Sequence, residues 1–155
     1  LIVMDGAALK LKVHQKCLHL ALTKIDSLKS ELVALQEASN QDTKSSAGDK
    51  YETGRSMIML EKEKLGVQLM EAYKLKKALD LIDLGKPINK VSLGALVKES
   101  NNFYYFSANF GALNIADVKV FALSTLSPIG QAMLGKTVGD TYNFRGQKFL
   151  IEKIA

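Results

Sequence analysis

A seven-residue recurrence of apolar positions in the first third of the chain restricts its fold more than any other feature. Leu11, Leu18, Ile25 and Leu32 form one set, and His14, Ala21, Leu28 and Leu35 form a second, three residues on. Rows offset in this way occupy the a and d positions of a helix that buries one seam against another helix. No proline lies in this stretch and Gly6 is its only glycine. One helix is therefore expected from about residue 7 to 38, roughly 48 Å long at 1.5 Å per residue. Residues 39–48, SNQDTKSSAG, are polar and rich in turn and capping types, so a turn is expected there. Ile58, Leu65, Ala72 and Leu79 then resume the seven-residue spacing, widened by Leu69, Leu75 and Ile82, until Gly85 and Pro87 supply a stop. Two long helices joined by a short polar turn fold back on each other as an antiparallel hairpin. The expected division is a helical hairpin over 1–84, with its tip near 39–50, and a second domain over 85–155.

Past Pro87 the period changes. Residues 91–97 (VSLGALV) are expected to form a strand, as are Phe103-Tyr104-Tyr105-Phe106 and residues 118–123. Tyr142 to Phe144 is expected to pair with Phe149 to Ile151 across Arg145-Gly146-Gln147. Between these strands, Ser127 caps a short helix with Pro128 in its first turn, closed by Gly135. This order of elements gives an α+β class, a helical hairpin followed by a small sheet domain.

Composition narrows the setting. A single cysteine, Cys17, excludes an internal disulfide framework and fits a reducing compartment. Leu1-Ile2-Val3-Met4 is too short for the apolar region of a signal peptide, and no run approaches the roughly 18 apolar residues of a membrane span. A cytoplasmic protein with no membrane partner is expected. Of the net charge of +5, residues 1–84 supply +1 (13 Lys/Arg against 12 Asp/Glu) and residues 85–155 supply +4 (8 against 4). That basic second half permits contact with DNA, RNA or an acidic protein face, but no DNA-reading motif accompanies it.

Ser127-Pro128-Ile129-Gly130-Gln131-Ala132-Met133-Leu134-Gly135-Lys136, followed by Val138-Gly139-Asp140, resembles the "SPIGxALLGKxxGD" stretch of the Gre-type transcription elongation factors (GreA/GreB-like). A coiled-coil hairpin ahead of this stretch is also the layout of that family. The resemblance implies a carboxy-terminal domain of FKBP-like fold. It implies RNA polymerase as partner, with the hairpin entering the secondary channel and Ser127, Pro128 and Ile129 as candidate contacts of the anchoring domain. It further implies acidic residues at the hairpin tip. Cleaving a phosphodiester at a two-metal site requires a second cation to be held and a water oriented, and magnesium accepts one or two carboxylates for this purpose. The factor would then have no cofactor of its own. Magnesium would be held jointly with the polymerase, and the factor would be no enzyme by itself.

The tip departs from the family's "GDLKENAEY". Asp42 matches its first acid, Ser45 stands at its glutamate, and two additional residues precede Tyr51. Asp49 and Glu52 are the remaining candidates to supply the charge, with Asp42 and Asp49 as metal ligands inside the complex. Two outcomes stay open, stimulation of transcript cleavage in contact with nascent RNA, or occupation of the channel without cleavage. Outside this family the alternatives are a peptidyl-prolyl isomerase, for which no apolar-aromatic pocket is legible, and a coiled-coil adaptor that dimerises, whereas the hairpin reading expects a monomer. His14, Cys17 and His19 do not reach the four ligands of a zinc site and read as packed or surface residues. Met57, Met59 and Met70 read as helix packing, alternation buries half of Phe103-Tyr104-Tyr105-Phe106, and Lys74, Lys76 and Lys77 read as a solvated face.

Overall fold

In a computed structural model, the described residues are 5–44 and 49–155, and the side chains of 42–44 and 49–52 also lie outside the description. The protein is α+β. Helix α1 spans Gly6–Lys44 and α2 spans Asp49–Asp80. Strands β1 (Leu96–Glu99), β2 (Asn102–Phe106), β3 (Gly111–Ile115) and β4 (Val118–Leu123) follow, then α3 (Pro128–Met133) and strands β5 (Thr141–Phe144), β6 (Gln147–Leu150) and β7 (Lys153–Ile154). The chain divides into two compact units. One holds residues 20–76, and the other combines the chain up to His19 with Lys77–Ala155. The unit that holds the strands thus includes the first residues of α1 and the last residues of α2.

In the hairpin unit, Ile25, Leu28, Leu65 and Ala72 are buried together, with Leu32, Leu35 and Leu69 packed against them. The Lys62 ammonium donates to Gln36, and Lys29 lies over the Tyr73 ring at 5.7 Å. As one partner's number rises the other's falls, so α1 and α2 run antiparallel. Part of the turn expected over 39–48 is helical instead, α1 continuing through Ser39-Asn40-Gln41 to Lys44, and the rest of it lies outside the described residues. Once an interhelical seam stabilises a helix, weakly unfavourable residues such as Ser and Asn extend it at little cost. Met57, Met59 and Met70 are not packed within the hairpin, being 67, 58 and 62% exposed.

In the other unit, the buried row of α1 is Leu9, Val13 and Cys17, while Leu11 of the heptad stands 46% exposed. Here α1 meets β2: His14 Nδ1 lies 2.7 Å from the Tyr105 hydroxyl, and the two rings meet edge to face. The five-stranded sheet has the order β3-β4-β2-β1-β7. β2 and β4 are parallel at its centre, with Tyr104 opposite Phe121, and the other pairings are antiparallel. Tyr104, Tyr105 and Phe106 are all buried, more than the half expected from alternation, because this central strand is covered on both faces. Val91, Ala95, Val97, Phe106, Met133, Tyr142 and Ile151 make the core on one side of the sheet.

The strand expected over 91–97 begins only at Leu96. Gly94 has φ +90°, and a Cβ there would come within 2.9 Å of Ile82. The chain turns at this point, with Ala95 N–H donating to Ser92 C=O at 3.0 Å. Residues 118–123 form a strand as expected, and Tyr142 opposes Phe149 across the turn at Arg145-Gly146. β3 and β7 had no clear alternation to announce them.

Candidate functional site

Two regions carry the residues singled out in the sequence. At the hairpin end, Asp42 lies in the last turns of α1, while Asp49 and Glu52 open α2. Five chain steps separate Lys44 from Asp49, so these helix ends lie within about 18 Å of each other. Chain connectivity therefore brings the three acidic positions to one end of an antiparallel pair. Their side chains lie outside the described residues. Among the described residues, no group of three His, Cys, Asp or Glu converges as a metal site.

The second region is the Ser127-Pro128-Ile129 loop. Ser127 Oγ donates to Ser124 C=O at 2.7 Å and accepts from Gly130 N–H at 3.1 Å, capping α3 while Pro128 occupies its first turn. Gln131 Nε2 donates to Thr125 C=O at 2.7 Å. Gly130 is required sterically, since a Cβ there would stand 2.4 Å from the Ser124 carbonyl oxygen. Thr137 N–H and Oγ1 donate to Asp140 at 2.8 and 3.0 Å, and these bonds hold the Asp140 carboxyl below its ordinary pKa. Ser127, Pro128 and Gly130 thus build this loop, and Asp140 holds a separate turn at Thr137.

That frame leaves Leu126 81% exposed beside Pro128, and turns Ile129 into a groove of about 510 Å³. Tyr104, Phe121, Leu123 and Phe144 line it, with Asn109 and Arg145 as its polar residues. Tyr104 and Phe121 stack at 5.6 Å between centroids. Arg145 has φ +50°, unfavourable for a side chain of its size, and its guanidinium lies 5.1 Å from the Phe144 ring centroid at the groove. Ile129 was expected among the contact residues. The groove itself was not, because strands far apart in sequence assemble it, and neither was Leu126. Leu126's only sequence signal is a lone apolar residue in a polar capping loop.

Beside Tyr104, Glu99 is 6% exposed and its carboxyl is raised above the ordinary range, first by burial and then by Glu152, with the Tyr104 hydroxyl opposing. On the other face of the sheet, burial is the largest effect lowering the His14 pKa; Asp80 opposes it and Lys10 adds to it. Burial pushes the fully enclosed Cys17 thiol up to about 12, which makes it a packing residue without nucleophilic character.

No family model and no curated protein matches the chain. Among solved structures, the chain is similar to one described as the structure of the transcription factor Gfh1, at 18% identity over 84% of this chain and 92% of that one. The TM-score is 0.33.

Proposed function

We propose that the protein is a Gre-type factor that binds bacterial RNA polymerase, with the hairpin as the channel probe and the sheet domain as the anchor. The observation that carries this reading is the Ser127–Asp140 motif, whose resemblance to the family's stretch spans residues with separate structural duties. Ser127 caps, Gly130 packs against a carbonyl and Asp140 closes a turn, and together they present Leu126, Pro128 and Ile129 beside an aromatic groove. An exposed leucine in the same loop as a groove-lining isoleucine suits docking on a protein surface.

The probe carries Asp42, Asp49 and Glu52 at its end. In the complex, Asp42 and Asp49 would share a magnesium ion with the polymerase, and Glu52 would hold or orient the attacking water. The metal supplies charge neutralisation and an activated water. The chain's part is to deliver carboxylates to that site. Cleavage of backtracked transcripts is the preferred outcome, and channel occupation without cleavage is the alternative that the serine at position 45 favours. A stalled, backtracked elongation complex decides between them. Shortened transcripts are expected with the native chain. Loss of cleavage with retained binding is expected when Asp42, Asp49 and Glu52 are all replaced by alanine, and unchanged cleavage would remove the carboxylate role.

The groove also supports a second reading, binding of an apolar, proline-containing peptide with peptidyl-prolyl isomerase activity. Fold and groove alone carry no activity. A proline-isomerisation assay with the full chain separates the two, since the polymerase reading expects no turnover.

A further inference from the structure

α2 carries a second seam that the hairpin does not use. Leu65, Leu69 and Ala72 face the hairpin core. Val67 stands two residues beyond Leu65, about 200° round the helix, and so points to the opposite side. Leu60, Val67 and Lys74 recur every seven residues on that side, and Glu63 and Met70 recur every seven, offset by three. This is again an a/d pattern, with a at Leu60, Val67 and Lys74 and d at Glu63 and Met70. Leu60, Val67 and Met70 are 66, 62 and 62% exposed, and Met59, flanking them, is 58% exposed. A solvated helix face has no need of an apolar row with this spacing.

The charges on the seam select its occupant. In a parallel pair of α2 helices each a or d residue would meet its own copy, placing Glu63 against Glu63 and Lys74 against Lys74 of the second copy. In an antiparallel pair, a residues meet d residues of the other chain. With Val67 opposite Met70 at the centre, the same register sets Glu63 opposite Lys74 on either side and Leu60 against the aliphatic stem of Lys77 at the ends, so Glu63 and Lys74 each meet their opposite and the arrangement closes with two-fold symmetry. Lys74 pairs with Glu71 of the same helix at 3.2 Å, an exposed pair that contributes little and yields readily. We propose that two copies of the chain associate through this face, α2 against α2 and antiparallel, in the Val67–Met70, Glu63–Lys74 register. Methionine suits such a reversible contact, because its flexible side chain fills irregular gaps. The four exposed apolar residues and the stems of their charged neighbours would bury on the order of 1,000 Å² over both copies, the lower end for a specific interface. A micromolar, concentration-dependent dimer is therefore expected. The inference goes beyond the polymerase reading and does not depend on it; it replaces the monomer expected of the hairpin with a reversible dimer of hairpins in which each chain keeps its own α1–α2 seam.

The test is sedimentation of the full chain over a concentration series, with circular dichroism to verify that every variant keeps its helices. The native chain should pass from monomer to dimer. Glu63→Lys and Lys74→Glu should each weaken association about tenfold or more, by setting like charges across the pair. The double variant, Glu63→Lys with Lys74→Glu, should restore association to within about threefold of native, since the reversed charges meet again only in the antiparallel register. A native chain that stays monomeric to about 0.5 mM overturns the proposal. So does association that neither single reversal weakens, and failure of the double variant to recover overturns the register.

Discussion

The two stretches of α1 bury different rows of side chains. Up to Cys17 the fully buried residues fall every four positions, at Leu9, Val13 and Cys17. From Ala21 onward the steps alternate between four and three, through Ile25, Leu28, Leu32 and Leu35. On a helix of 3.6 residues per turn, strict steps of four drift about 40° each time, whereas alternating steps of four and three drift only about 20° over seven residues. A drifting row suits a short crossing over a sheet, and a straight row suits a partner helix followed over several turns. One continuous helix thus records in its sequence the change from one kind of partner to the other. Reading a single heptad through the whole stretch hides that change.

The sharpest test of this contrast compares two leucines only two residues apart. Leu9→Ala should cost about 2–5 kcal/mol, as for a fully buried leucine, and Leu11→Ala less than about 0.5 kcal/mol. Equal costs in chemical denaturation would mean that the heptad runs on to the amino-terminal end. Next in size is Gly130→Ala, which drives a methyl group into the Ser124 carbonyl and should cost about 1–3 kcal/mol. That loss belongs to the sheet unit, so the exchange of hairpin amides with solvent should be unchanged.

Smaller effects probe the contact of α1 with β2. Tyr105→Phe removes the hydroxyl that meets His14 and should cost about 1 kcal/mol. The His14 pKa is lowered in the fold, so the unfolded chain binds the proton more readily. Its contribution is present above about pH 6.5 and is lost as pH falls through the lowered value, and unfolding followed from pH 7.5 to 5 should show this decline. His14→Gln should flatten that slope; an unaltered slope would assign it to other groups. Glu99 behaves oppositely. Its carboxyl pKa is raised, so its favourable contribution exists below the ordinary value and disappears as pH rises. Glu99→Gln should therefore raise stability at pH 7 slightly, by up to about 1 kcal/mol, and leave it nearly unchanged at pH 4.

Legibility in the sequence followed how local each signal is. Ser127, Pro128 and Gly135 announced α3 because caps and turns are decided by neighbours in the chain. The hairpin seam was legible because its period repeats over many turns. Residues 91–97 misled, since an apolar run looks like a strand until Gly94 turns it. Met57, Met59 and Met70 misled because hydrophobicity reveals that a residue wants a partner, without saying that the partner is in the same chain. The groove was invisible for a third reason. Tyr104, Phe121 and Phe144 meet only after a parallel pairing of β2 with β4 and a separate two-stranded ribbon are in place. The sequence located Asp42, Asp49 and Glu52 only as acids near a turn, and the two helix ends bring those positions together.

The proposed anchoring of this chain to RNA polymerase runs through the sheet domain. Its most direct test is the affinity of the native chain for bacterial core polymerase, measured beside Ile129→Asp, with circular dichroism verifying that the variant is folded. Saturable binding that falls at least tenfold when a charge enters the groove is the expected result. No binding by the native chain, or equal binding by the two, would contradict it.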